Sequence, residues 1–281
     1  IAPSLVGSEM CIRDSHKRLE AVQIGKMPVM LRSAVCVLPQ STGGGRYNAG
    51  ECGQDAGGYF IINGSEKIVL AQERAAENIT YAYKSKATKW EAVAEIKSVP
   101  ADKCIAPKQI CVYIAYPGKQ ITATPQGASA TSEDGRVMHV QLPRLKATVP
   151  LFIVFRALGI ISDREICETI LLDIKSEHRR PMLRVLRSCV VEASGVLTQE
   201  KAIEYVEKRI HFTPMNVDKA KGDAMKRNYT MEALTTDMFP HCSSPREKVL
   251  YLGTMVRQLL ECHLNYRNYD DRDAYKNKRL E

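Results

Sequence analysis

Gly57 to Arg74 reads GGYFIINGSEKIVLAQER. Two glycines lead into the β-forming residues Tyr59, Phe60, Ile61 and Ile62, and Asn63-Gly64 supplies two positions that tolerate positive φ. A second β-forming run, Lys67 to Leu70, follows. Apolar runs on either side of an Asn-Gly pair predict a β-hairpin. Neither run alternates apolar with polar along its length, so the hairpin is expected to be buried on both faces.

The chain has 281 residues, 44% hydrophobic and 26% charged, which is enough for one large domain or two ordinary ones. No apolar run reaches the length of a membrane span. The net charge of +8 favours polyanionic partners without specifying one. Nine cysteines are scattered with no CxxC pair and no close Cys/His cluster, so reduced thiols in a cytosolic or nuclear compartment are expected rather than a zinc ribbon. The glycines of Ser41 to Ala56 lack the Gly-Lys-Ser/Thr ending of a phosphate-binding P-loop, and a surface loop is expected there.

Around the hairpin, Ile24 to Leu38 is β-rich and reads as a strand. Ala92 to Val99, Gln109 to Tyr116 and Arg136 to Leu142 read as strands of a small antiparallel sheet, with a polar linker from Thr124 to Gly135. From Val149 the pattern turns helical. Val149 to Gly159 is densely apolar around Arg156. Ser162 and Glu165 form a capping-box pattern before Ile166, Ile170, Leu171 and Ile174. Further helices are predicted over Pro181 to Ala193, from Thr198 with Ala202, Ile203, Val206 and Ile210, and, with weak periodicity, over Asp218 to Met238. The clearest starts at Ser244, with Pro245 at the first helical position, Glu247 completing the box, and Val249, Leu252, Val256, Leu259 and Leu260 as the apolar stripe. The arginines of His178 to Arg187 read as the solvent face of their helix. His263 reads as a core or boundary residue rather than a base.

GGYFIINGSEKIVLAQER resembles the second-largest subunit of multi-subunit DNA-directed RNA polymerases, in the RNA polymerase II form or that of large DNA viruses. Three other stretches carry the same resemblance: Ile24 to Leu38 with Arg32 and Ser33, FRALG followed by the Ser162-Asp163 helix start, and Tyr269 to Glu281 (YDDRDAYKNKRLE). The resemblance implies an α+β architecture, with a discontinuous mixed protrusion domain (16–77 and 243–281) and an inserted α+β lobe (78–242). The two ends of such an insertion return to one place, so the hairpin and the Ser244 helix are expected to pack together. Ile1 to Ser15 does not resemble the family and lacks a signal-peptide pattern; it is read as a non-family segment, an artefact of sequencing.

The same resemblance implies a wall of the DNA/RNA cleft in a nucleotidyltransferase that acts only when assembled. The partners would be the largest subunit, other polymerase subunits, template DNA and nascent RNA, in the nucleus, or in a viral factory or cytoplasm if viral. Mg2+ and Zn2+ are expected in the complete polymerase and none in this segment; no catalytic or metal-binding residue is assigned. Contacts to any sequence must go to phosphates, so Arg32, Lys67, Gln72, Arg74, Lys276, Lys278 and Arg279 are the nucleic-acid-binding candidates. Asp270, Asp271 and Asp273 lack the glycine and distal glutamate of a calcium loop and read as turn carboxylates. A stand-alone, non-catalytic nucleic-acid-binding module is the alternative that composition permits.

Overall fold

A computed structural model describes residues 21–40, 52, 54–102, 105–117, 135–212 and 219–280. Ile1 to Ser15, most of the Gly-rich loop and most of the Thr124 to Gly135 linker lie outside them. The chain divides into two compact units, Ile1–Gln72 and Glu73–Glu281.

In the first unit, β1 (Phe60–Ile62) and β2 (Ser65–Lys67) pair antiparallel, Ile62 opposite Ser65. Asn63 at φ 51° and Gly64 at φ 78° form the two-residue turn; both angles match the right-handed twist of a hairpin, and glycine takes the second without strain. The expectation of burial on both faces is corrected. Ile61 and Ile62 are exposed, and Ile68, Val69 and Leu70 lie outside β2 with 67–78% of their surface in water. The expected strand over Ile24 to Leu38 is absent too. That stretch runs through turns to a short helix, α1 (Val37–Gln40), with Arg32 at φ 62°. A β-forming composition becomes a strand only where a neighbour takes its backbone hydrogen bonds. Here Leu31 bonds the hairpin's approach at a single residue, its N–H to the Tyr59 carbonyl and its carbonyl to the Gly58 N–H.

The second unit opens with β3 (Glu73–Ala75), which pairs with the last strand of the chain, β9 (Lys278–Leu280). Between them lies a five-stranded antiparallel sheet in sequential order: β4 (Tyr81–Lys84), β5 (Trp90–Ser98), β6 (Lys108–Ala115), β7 (Met138–Gln141) and β8 (Val149–Pro150). On β5 the alternate residues Ala92, Ala94, Ile96 and Ser98 are fully buried, the period of two that puts one sheet face against a core. The α+β architecture is as expected. The two-residue β8 feeds directly into α2 (Leu151–Ala157), all seven residues of which are buried. It is followed by α3 (Asp163–Leu171), α4 (Arg180–Glu192), α5 (Gln199–Glu207), α6 (Lys219–Glu232) and α7 (Pro245–His263).

Helix α7 packs on β4 to β6 and on α3, while α2 packs on β7, β8 and α5. The expected stripe Val249, Leu252, Val256, Leu259 and Leu260 is buried throughout. The Ser244 hydroxyl accepts from the Glu247 N–H, and the Glu247 carboxylate accepts from the N–H groups of Ser243 and Ser244, which hold its carboxyl below the usual range. The box expected at Ser162 does not close through its side chain. Asp163, the first residue of α3, instead binds the buried Arg156 guanidinium at 2.5 Å, and charge pairing outcompetes a neutral cap. The same guanidinium donates to the carbonyls of Ala193 and Val196, tying the α4–α5 loop to α2.

Helix α7, assigned by the resemblance to the second part of the protrusion, thus shares one apolar core with the sheet and helices of residues 78–242, while the hairpin expected to pack on it belongs to the other unit. Its approach to α3 depends on Gly253. A Cβ there would lie 2.9 Å from the Thr169 carbonyl oxygen and 3.1 Å from its methyl. Gly253→Ala is expected to force the helices apart and cost about 1–3 kcal/mol, read as a lower urea midpoint with an unchanged slope. An unchanged midpoint would contradict the contact.

At the far end of β5, the buried Ser98 hydroxyl lies 2.6 Å from His241 Nδ1, and the ring stands edge-on to Tyr251 of α7. Burial first, and the Lys248 ammonium second, push His241 below its ordinary 6.5. The unfolded chain therefore takes up a proton on this ring before the folded one does. The ring's contribution is present above about pH 6.5 and is lost as the pH falls toward its folded value. Thermal unfolding at pH 7.5 and 5.5 should show a smaller acid-induced fall for His241→Gln than for the parent chain; equal falls would refute the coupling.

Candidate nucleic-acid interface

Seven residue candidates come from sequence, and the structure separates them by unit. In the first unit, Arg32 donates through Nη2 to the Cys52 carbonyl at 2.8 Å, so part of its guanidinium serves the loop. Lys67 closes β2 opposite Phe60, and Gln72 ends the unit; both side chains are exposed.

In the second unit, Arg74, Lys278 and Arg279 come together. Along the β3–β9 ladder Glu73 stands opposite Leu280, Arg74 opposite Arg279 and Ala75 opposite Lys278. Two arginines directly across an antiparallel ladder repel. Glu77 resolves this: one carboxylate oxygen binds Arg74 and the other lies 3.3 Å from Arg279, with only 9% of the side chain exposed. Glu73 takes Lys278 at 3.1 Å and holds its ammonium above the usual lysine range. Arg74, Lys278 and Arg279 are thus all engaged by these two carboxylates. Lys276, in the single turn of 3-10 helix before β9, is exposed and forms no ion pair among the described residues.

The ladder is braced from below. Asn277 is buried, donates to the Asp271 carbonyl at 2.6 Å, and through its own carbonyl accepts the Ala76 N–H at 2.9 Å. The Tyr81 hydroxyl, on β4, lies 3.0 Å from the Ala76 carbonyl and 3.2 Å from that of Asn277. The end of the GGYF…AQER stretch and the terminal DDRD…NKRL stretch, about 200 residues apart, therefore meet in one hydrogen-bonded clasp.

A family model described as RNA polymerase Rpb2, domain 2, matches residues 112–281, well over half of the chain. The chain belongs to this family. It is 34% identical over 280 residues to DNA-directed RNA polymerase II subunit RPB2 of Schizosaccharomyces pombe, a match covering 97% of this chain and 21% of that protein. It is 35% identical over 265 residues to DNA-directed RNA polymerase II subunit 2 of Arabidopsis thaliana, covering 92% and 21%. Archaeal DNA-directed RNA polymerase subunit Rpo2N of Methanococcus vannielii is 32% identical over 275 residues, covering 95% and 49%. The chain spans about a fifth of the length of the eukaryotic relatives it matches.

In this Rpb2-family chain, the spacing of residues along the sequence concealed two participants. Asp270 accepts the Ala82 N–H at 2.9 Å and donates its own N–H to the Ala82 carbonyl at 2.8 Å, so it closes the free edge of β4. Arg272 lies over the Tyr83 ring at 4.5 Å and 3.5 Å from Glu95, beside a cavity of about 140 Å3 that Tyr81, Lys97 and Asn277 also line. The DDRD string flags carboxylates and an arginine, but which of them faces the sheet depends on the approach angle. Asp271 accepts the Asp273 N–H, the expected turn role. Among the described residues no group of three or more His, Cys, Asp or Glu could hold a metal.

Glu77→Gln removes the carboxylate that contacts both Arg74 and Arg279. It is expected to destabilise the fold by about 1 kcal/mol and to speed amide exchange at Glu73–Ala75 and Lys278–Leu280. Arg74→Gln added to Glu77→Gln should recover part of the loss. Unaltered exchange in the single variant would refute the clasp's dependence on Glu77.

Proposed function

We propose that this chain is part of the second-largest subunit of a DNA-directed RNA polymerase and forms a flank of its DNA/RNA cleft. The observation that carries the reading is the β3–β9 ladder, which joins the end of the GGYF…AQER stretch to the DDRD…NKRL stretch and sets three cations on two carboxylates. Residues 76–277 leave this ladder and return to it, the topology of an inserted domain. The family's names are kept here, protrusion for 16–77 and 243–281 and lobe for 78–242, although α7 packs in one core with the latter. Nucleotidyl transfer, with its Mg2+, and the Zn2+ site belong to other parts of the assembled enzyme, and the chain alone makes no RNA. Its partners are the largest subunit, other polymerase subunits, template DNA and nascent RNA. The eukaryotic relatives are subunits of DNA-directed RNA polymerase II, which supports a nuclear location.

Within this reading, roles divide by what each side chain has already bound. Lys67, Gln72 and Lys276 are exposed and suited to direct phosphate contact. Arg32, Arg74, Lys278 and Arg279 hold local structure and add to the field around it. Sequence-independent contact of this type is lost with salt. The test is a polymerase assembled with the full-length subunit carrying Lys67→Ala and Lys276→Ala. Its elongation complexes should dissociate several-fold faster than the parent's at raised salt, with the salt slope reduced by about 2 for two phosphate contacts. Parental lifetimes across the salt range would sink the proposal.

A further inference from the structure

Helix α4 buries Met182, Val185, Leu186 and Cys189 and turns its opposite face to water. That face carries Arg180, Arg184 and Arg187, all exposed. Steps of four and three residues put them in one line, over about 10 Å of helix axis at 1.5 Å per residue. Glu177 lies 3.6 Å from Arg180, and both side chains of that pair are largely in solvent. Arg184 and Arg187 form no ion pair, hydrogen bond or ring contact among the described residues. Lys175 and His178, also exposed, extend the positive surface toward the helix start. Arg179 adds a guanidinium whose Nη1 is enclosed without a hydrogen-bond partner.

This arrangement is unfavourable for an isolated helix. Like charges three and four residues apart repel, and positive charge at an N-terminus opposes the helix dipole. No acidic residue in the first turn relieves it. The burial of the other face fixes the row in place, with Glu177 beside Arg180 as the one carboxylate paired to it among the described residues.

We propose that the α4 arginine row binds the phosphodiester backbone of duplex nucleic acid, at a surface separate from the β3–β9 ladder. Planar guanidinium groups take phosphate oxygens in pairs, and a row on one rigid helix meets successive phosphates without reading a base. A protein partner would need an apolar centre to its interface. On α4, Val191 at 37% is the one large apolar side chain exposed among the described residues. The proposal stands on the charges of α4 and does not require the cleft-flank reading.

The test is fluorescence anisotropy of the 281-residue chain with a labelled DNA duplex of arbitrary sequence, about 24 base pairs long, between about 50 and 200 mM salt. Arg180→Gln/Arg184→Gln/Arg187→Gln should lower affinity at least tenfold at the lowest salt and reduce the log–log slope by about 2–3. The matching triple lysine variant should retain most of the slope. Circular dichroism and thermal unfolding establish that each variant is folded; if the glutamine triple is not, single Arg184→Gln and Arg187→Gln variants should each reduce the slope by about 1. Parental affinity and slope in the folded glutamine variants, or no binding by the parent chain, would overturn the proposal. So would polyglutamate displacing the duplex as effectively as unlabelled duplex does, since the row would then serve an acidic polypeptide. In parallel, Lys67→Ala/Lys276→Ala separates the two readings, because each surface contributes its own part of the salt slope.

Discussion

The pairing of β3 with β9 is the constraint on which the second unit depends. It joins residues about 200 positions apart, and closing a flexible loop of that length costs on the order of 5 kcal/mol in chain entropy. Three cross-strand pairs and a shared carboxylate do not offset that by themselves. The closure is possible because everything between the strands has collapsed onto one core, in which α7 covers β4 to β6 and α3 stacks on α7. Glu77 also makes the clasp's register tolerable, because its two carboxylate oxygens are shared between Arg74 and Arg279, which face each other across the ladder.

Buried polar groups fix the connections that apolar packing leaves loose. Arg156 carries a charge into the middle of an otherwise apolar helix, and its partners are Asp163 and two carbonyls of the α4–α5 loop. His139, fully buried on β7, stands 2.9 Å from Glu192 at the end of α4 and 3.2 Å from Thr148. Asn277 does the same for the turn before β9. Each of these groups would be costly to leave unpaired, so each selects one arrangement of loop and sheet. The buried Cys189 thiol accepts the Met138 N–H of β7 at 3.3 Å, and enclosure pushes it up to about 12.

The positive charge is not spread evenly over functions. At the ladder, most cations already face carboxylates, and their role in any polyanion contact is through the field they leave. On α4, Arg184 and Arg187 have no such neighbours among the described residues. A chain with net charge +8 therefore presents one partly neutralised basic surface and one largely unneutralised row, a distinction that composition does not contain. The proposed function gives both surfaces a context in which extended phosphate backbones are present.

Local signals were legible in the sequence: the Asn63-Gly64 turn, the Ser244 capping box with its α7 stripe, the strand run from Ala92, and the resemblance carried by long uninterrupted strings. These are properties of neighbours within a few residues, and short-range sterics and hydrogen bonding decide them. The failures had a different origin. Ile24 to Leu38 and Ile68 to Leu70 have strand-forming side chains but no ladder partner among the described residues, and at Ser162 the capping box gave way to a charge pair between Asp163 and Arg156. Which cations are free, which carboxylate sits between two arginines, and which glycine lets α7 touch α3 were settled only by tertiary structure. Those outcomes depend on distances between groups far apart in the chain, and no local pattern encodes such distances.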